Sequence, residues 1–345
     1  MHAAENALLA KARAMYARRL TPEQLQDMLA CRSPAEVAAY LQEKTVYGDF
    51  LTGSFPSQVH REWLESQLRE ALYRHLETLT AYAYTIHSPI YRYGIIEREI
   101  ARLRQSLAAL ADRTHSDLVR NTPFFEQRSA VDWPAVEAAA DLAQWLEALQ
   151  GTPYHRVCRP FVDAAAGRVD MAALDHALQG CRVQQLQRLI DSEYHGAERQ
   201  ALTEQLQLRT DLTNLTTLYR IAVIRGQHPA VSGNAAVLPG GRLNGQTLQA
   251  LMDAPDDRAF RAALQDTPYR ALPDWHPDGY IELSADRYLY GVCRHRLQVT
   301  TVPAVTVLCY TALRELEQKN IVHIIEGVRY GTPQAAAALL VQETR

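Results

Sequence analysis

The chain has 345 residues, 47% hydrophobic and 22% charged, which supplies enough apolar surface for packed cores and excludes a peptide-sized, disulfide-scaffold or globally disordered protein. A formal net charge of −3, from 36 basic and 39 acidic side chains, lacks the strongly basic footprint of a nucleic-acid binder. Five widely spaced cysteines (Cys31, Cys158, Cys181, Cys293, Cys309), with no secretory apolar stretch over Met1 to Ala10, predict free thiols in a reducing compartment.

In chain order, Thr21-Pro22-Glu23-Gln24 places a capping threonine before a first-turn proline, with Gln24 positioned to close a capping box. Ser33-Pro34-Ala35-Glu36 repeats that grammar. Leu25, Met28 and Leu29, then Val37, Tyr40 and Leu41, follow at helical spacing, so two short helices with a tight connection are predicted. The same period runs through Trp63, Leu64, Leu68, Leu72 and Leu76, through Leu174 and Leu178, and through Val183, Leu186 and Ile190. It continues through Leu208, Leu212, Leu215 and Leu218. Period-2 alternation is nearly absent, apart from an ambiguous patch at Val299 to Leu308, and the fold class is all-α. The uncharged stretch Leu297 to Leu313 carries Pro303 and falls short of the ~20 apolar residues of a spanning helix, so it reads as one buried helix. Gly226 to Gly245 and Pro273 to Gly279 read as loops.

One phrase occurs three times: Leu41-Gln42-Glu43-Lys44-Thr45-Val46-Tyr47, Leu149-Gln150-Gly151-Thr152-Pro153-Tyr154 and Leu264-Gln265-Asp266-Thr267-Pro268-Tyr269. Each ends an amphipathic stretch, and its threonine can cap the next element. A second marker recurs between the phrases, an acid followed by asparagine at the third position and then aliphatics. It reads Asp211, Asn214, Leu215, Leu218 and again Glu317, Asn320, Ile321, Ile324. Around Glu99, Ile96 to Leu103 is a weaker copy without the asparagine. Two markers in one register, at a period of about 110 residues, predict three related modules rather than a solenoid of helix pairs. The boundaries expected are 1–105, 106–220 and 221–345, with the C-terminal helices free to pack back on the first module. Thr152 and Thr267 should hold equivalent positions. Tyr47, Tyr154 and Tyr269 belong either at module seams, each hydroxyl paired, or in the core of one module. The Glu317 and Asn320 pair is read either as a polar contact fixing module packing or a partner, or as the solvated edge of an amphipathic helix.

Chemistry-bearing patterns are missing. None of Lys11, Lys44 and Lys319, the only lysines, follows a glycine, so a P-loop is excluded. There is no Cys-x-x-Cys, His-x-x-x-His or Gly-x-Ser-x-Gly, and the acidic run Asp253-Ala254-Pro255-Asp256-Asp257 holds a proline and reads as capping. Gly240-Gly241-Arg242-Leu243-Asn244-Gly245 follows no strand and reads as a turn. No catalytic, cofactor or metal residue is nominated.

With the repeat established, the chain resembles the C-type subunits of the V/A-type rotary ATPases (ATP synthases), the family that includes the d-type subunit of the eukaryotic V-ATPase. The likeness is carried by Ala12-Arg13-Ala14-Met15-Tyr16-Ala17-Arg18-Arg19-Leu20 leading to Thr45-x-Tyr47, and by Leu238-Pro239-Gly240-Gly241-Arg242-Leu243. It is carried also by Glu317-x-x-Asn320-Ile321-x-x-Ile324 ending in Gly327-Val328-Arg329-Tyr330-Gly331. The resemblance implies three helical modules in a pseudo-threefold, funnel-like arrangement, and a non-catalytic rotor adaptor without cofactor or nucleic acid. Its implied partners are the central-shaft subunits and the membrane rotor ring, on the cytoplasmic face and peripheral to the membrane through protein contacts. A generic all-α scaffold unconnected with ion transport is the alternative, and an all-α enzyme comes third.

Overall fold

A computed structural model describes residues 2–49, 51, 61–112, 122–226, 237–272 and 281–341. They are helical almost throughout. The N-terminal helices are α1 (His2–Ala17), α2 (Pro22–Leu29) and α3 (Pro34–Lys44), followed by two long ones, α4 (Arg61–Thr85) and α5 (Tyr91–Asp112). Four short helices come next: α6 (Pro123–Glu126), α7 (Trp133–Ala138), α8 (Leu142–Ala148) and α9 (Pro153–Cys158). The long pair α10 (Met171–Glu193) and α11 (Gly196–Tyr219) precedes the short α12 (Gly245–Met252) and α13 (Asp257–Leu264). A third long pair, α14 (Ile281–Val299) and α15 (Pro303–Arg329), ends in the short α16 (Pro333–Ala338). The one ladder among the described residues is a two-residue antiparallel pairing of Val162 with Val169 and Asp163 with Arg168.

The local grammar is legible where it was expected. Thr21 caps α2, and its capping box with Gln24 closes both ways. Ser33 caps α3. Gln24 Nε2 also donates to Lys44 O at 3.0 Å, tying the start of α2 to the end of α3. The expectation of one helix over Leu297 to Leu313 is corrected: α14 stops at Val299 and α15 starts at Pro303. Pro303 has no N–H to donate and suits a first turn, so the chain breaks before it. The ambiguous patch at Val299 to Leu308 is helical from Pro303 onward. Of the expected loops, residues 227–236 and 273–280 lie outside the described residues, as do the side chains of Trp63 and Leu64.

The chain divides into two compact units, one made of residues 1–82 and 264–345 and the other of residues 83–263. In the first unit, Leu25, Met28, Val37, Leu41 and Tyr47 pack with Ile321, Ile324 and Ile325 of α15 and with Leu340. Arg13 of α1 donates to the carbonyls of Leu297, Gln298 and Thr300 at 2.8, 3.0 and 2.8 Å, satisfying the open C-terminal end of α14. The second unit packs Ile100, Leu103 and Leu107 of α5 against Trp133, Trp145 and Tyr154, and against Leu174 and Leu178 of α10. Its indoles are satisfied by serines, Trp145 Nε1 donating to Ser106 Oγ at 2.8 Å and Trp133 Nε1 to Ser129 Oγ at 2.9 Å. All five cysteines are free thiols. Among the described residues no helix is long and apolar enough to cross a membrane.

Candidate functional site

The three Thr-x-Tyr phrases make corresponding local bonds, the threonine reaching back four residues in the first and three in the other two. Thr45 Oγ1 donates to Leu41 O at 2.5 Å and accepts from Tyr47 N at 3.1 Å. Thr152 Oγ1 donates to Leu149 O at 2.7 Å and accepts from Tyr154 N at 3.2 Å. Thr267 Oγ1 donates to Leu264 O at 2.8 Å and accepts from Tyr269 N at 3.1 Å. In each case one hydroxyl satisfies a helix-end carbonyl and opens the next turn. The tyrosine two residues on is then driven inward, and Tyr47, Tyr154 and Tyr269 are all buried.

Each acid of the second marker sits on the second helix of a long pair, Glu99 on α5, Asp211 on α11 and Glu317 on α15. Glu99 and Asp211 lie within the second unit and Glu317 within the first. All three receive backbone N–H groups from the residues just ahead of a short helix. Glu317 Oε2 accepts from Leu20 N at 2.9 Å, next to the cap of α2. Asp211 accepts from Arg242 N at 2.9 Å and Leu243 N at 3.3 Å, next to the Asn244 cap of α12. Glu99 Oε1 accepts from Ala130 N and Ser129 Oγ, both at 2.7 Å, two and three residues ahead of the Asp132 cap of α7. A carboxylate on a long helix thus satisfies donors that the turn into a short helix leaves open.

Two of the buried tyrosines end on these acids. Tyr47 Oη donates to Glu317 Oε1 at 2.8 Å, and Tyr154 Oη donates to Glu99 Oε2 at 2.6 Å. Burial raises the Tyr47 and Tyr154 hydroxyls well above their ordinary range, and the adjoining carboxylates add to the shift, so both stay donors. Burial also raises the Glu99 carboxyl, against the opposing pull of its three donors.

The asparagines do a separate job. Asn214 Nδ2 donates to Leu238 O at 3.0 Å while its Oδ1 accepts from Leu238 N at 2.7 Å. Asn320 does the same to Val341, at 2.8 Å in both directions. Only a primary amide offers a donor and an acceptor side by side, so asparagine can hold one residue of extended backbone by both its groups. At the weak copy the equivalent residue is Arg102, which is buried, ion-paired with Glu137 and set over the Trp133 ring at 5.6 Å. There the chain is held by a charge and a cation–π contact.

Glu317 carries a further network that sequence inspection missed. Buried Arg314 donates from Nη1 to Glu317 Oε1 at 2.5 Å, lies over the Tyr47 ring at 5.2 Å, and places Nη2 at 3.1 Å from His75 Nδ1. Burial alone would lower the Arg314 guanidinium, but Glu317 and the surrounding tyrosines hold it above its ordinary value. The i,i+3 spacing of Arg314 and Glu317 was a signal available in the sequence; the arrival of His75 from α4 was not. The cavity beside Glu317 and Asn320 measures about 40 Å³ and is lined by Tyr16, Leu20, Tyr290 and Val341, far below the few hundred Å³ of a small-molecule pocket. The expected capping role of the acidic run holds in part, since Asp256 Oδ1 accepts from Ala259 N at 2.8 Å. Asp257 instead accepts from Tyr219 Oη at 2.9 Å and pairs with Arg261 at 2.6 Å.

Gly241 makes the Asp211 site possible, because a Cβ there would overlap Asp211 Oδ1 and force the loop off the carboxylate. Gly241→Ala is expected to cost about 2 kcal/mol by steric crowding and lost hydrogen bonds. Equilibrium urea unfolding measures it, and an unchanged midpoint would show that the loop adapts freely.

The bonds described at these sites organise backbone and pack helices. A comparison with curated protein sequences finds no match, whereas the family model described as ATP synthase (C/AC39) subunit matches residues 8–337. That match spans the acids, the asparagines and all three Thr-x-Tyr phrases. A chain matched over nearly its whole length, with its repeated polar residues spent on holding helices together, belongs to the ATP synthase (C/AC39) subunit family, whose members are non-catalytic and link the central-shaft subunits to the membrane rotor ring of a rotary ATPase.

Proposed function

We propose that the adaptor is built from three similar modules in a pseudo-threefold, funnel-like arrangement that receives the shaft. Each module is a pair of long helices with an acid on the second, followed by short helices that end in Thr-x-Tyr. The first contains α4 to α9 and the second α10 to α13. The third takes α14 to α16 together with α2 and α3 from the other end of the chain. This reading moves the first boundary away from residue 105, which lies within α5, and gives the third module the return connection expected of the C-terminal helices. Its support is the recurrence of one set of bonds at Glu99, Asp211 and Glu317.

In this reading Asp211, Asn214, Glu317, Asn320 and the threonines Thr45, Thr152 and Thr267 are interface residues between the parts of a module, and Tyr47, Tyr154 and Tyr269 lie at its seams. Their role is stiffness, because a coupling that yields under torque loses transmitted work. The protein sits on the cytoplasmic face of the membrane, peripheral and attached through protein contacts, a placement supported by the family and by the absence of an apolar spanning helix among the described residues.

The test is reconstitution of the rotary complex with Asn214→Leu or Glu99→Gln adaptor. Each variant is expected to leave ATP hydrolysis by the catalytic head intact while lowering the ions moved per ATP. Unchanged coupling with a measurably loosened adaptor would refute the stiffness role. An assembled-complex structure without three equivalent modules would refute the arrangement.

A further inference from the structure

The two asparagine clamps receive their chains differently. On α11, Asn214 holds Leu238, and Asp211 takes the N–H groups of Arg242 and Leu243 a few residues later in the same continuous segment. On α15, Asn320 holds Val341, but Glu317 takes the N–H of Leu20, from the opposite end of the sequence. The short helices that follow, α12 and α2, begin at the same step, Asn244 capping one and Thr21 the other. The equivalent polar pair is therefore closed by one continuous segment in the second unit and by two segments far apart in sequence in the first.

The segment around Val341 is held by the clamp, by Arg287 Nη2 donating to Ala338 O at 3.0 Å, and by the burial of Ala336, Leu340 and Val341. Ala336 and Leu340 are buried in the cluster that contains Leu25, Met28 and Leu29, so α16 and the residues after it lie across both α2 and α15. Gly327 lets α16 approach, since a Cβ there would overlap Ala336 Cβ. Thr332 N donates to Gly327 O at 2.7 Å and turns the chain back onto α15. A segment with a six-residue helix, three buried apolar side chains, one amide clamp and one arginine bond to its backbone has less local stability than the 27-residue α15 it rests on.

We propose that residues 333–341 form a detachable strap, seated in the Asn320 clamp, that opens as a unit while α15 stays folded and that pins the α2–α3 pair to α15 when shut. The Leu238 seat does not behave this way, because the five-residue connection to Leu243 keeps Leu238 beside Asn214 after the clamp breaks.

Hydrogen exchange of the full chain, read by mass spectrometry or NMR, tests the proposal without any substitution. The amides of Ala336 to Val341 should exchange together and well before those of Ala312 to Ile324. Exchange of Val341 only at the rate of α15, through global unfolding, would overturn it. Asn320→Leu removes both clamp bonds without adding charge and should speed exchange across 336–341 by about tenfold or more. It should also raise exchange at Leu25 to Leu29, the helix the strap covers. Asn214→Leu is the matched control and should speed exchange at Leu238 by a smaller factor. Equal factors at the two seats, or a strap unaffected by Asn320→Leu, would show that the broken connectivity at Glu317 has no dynamic consequence. Should Asn320→Leu fail to fold, the wild-type exchange order decides alone.

Discussion

Glu317→Leu is expected to destabilise the protein by about 3 to 5 kcal/mol, the cost of leaving a buried charge without its partner. Arg314 is 2% exposed and its Nη1 lies 2.5 Å from Glu317, so removing the carboxylate strands a guanidinium whose other contacts are the neutral His75 and the face of the Tyr47 ring. The same substitution orphans Leu20 N and Tyr47 Oη, both buried donors. The companion change Arg314→Met should be tolerated better when made together with Glu317→Leu than either is alone, because the pair then leaves no uncompensated charge. Urea unfolding of the two single variants and the double variant forms a complete cycle. A Glu317→Leu loss under about 1 kcal/mol would place the carboxylate among ordinary exposed ion pairs and remove it from the core of the first unit.

Acidification should weaken the first unit through His75. Burial, with Arg314 and then Arg18 nearby, depresses this imidazole from 6.5 to about 3, so it is neutral when folded and can accept from Arg314. The unfolded chain binds a proton below pH 6.5 that the folded chain refuses until about pH 3. Stability from this group is therefore fully present above pH 6.5 and drains away as pH falls through that window. At about 1.4 kcal/mol per pH unit, the loss between pH 6.5 and 5 is about 2 kcal/mol. His75→Gln keeps an acceptor for Arg314 and should flatten the profile over that interval. Glu99 works in the opposite sense. Its raised carboxyl favours the protonated, folded form, so its contribution falls as pH rises through the ordinary glutamate range and beyond. A His75→Gln protein with the same slope between pH 5 and 6.5 as the parent would assign the acid sensitivity elsewhere.

The legible parts of the fold were those that local chemistry decides. Thr21 and Ser33 announced their helices because capping needs only a hydroxyl three residues from an amide. The Thr-x-Tyr phrases were visible as repeats because a side chain bonding back to its own turn uses neighbours in sequence. Asp211 and Asn214, and Glu317 and Asn320, stood out by their spacing, but the alternative of a solvated helix edge was equally consistent with it. Burial and the two-way amide clamps exclude that alternative, since Asp211, Asn214 and Asn320 are almost wholly enclosed. Glu99 looked like the poorest copy because its third-position partner is Arg102, yet it accepts the same kinds of donors as the other two acids. The acceptor role is the same at all three acids, while the third position differs: a two-way amide clamp at Asn214 and Asn320, and at Arg102 a buried guanidinium paired with Glu137 and set over the Trp133 ring.

Length, near-neutral charge and helical period alone determined that this is an all-α protein able to bury real cores, and the sequence shows that one Thr-x-Tyr phrase and one acid marker recur along it. Those properties follow from hydrogen bonds and apolar spacing within about one turn or one repeat. Only the tertiary structure decided which donors each carboxylate satisfies, that His75 meets Arg314, and that Leu20 and Val341 converge on one polar pair from opposite ends of the described chain. The physical reason is separation: an acid can bond any donor brought within about 3 Å, and nothing in its neighbouring residues records which distant segment will be folded against it.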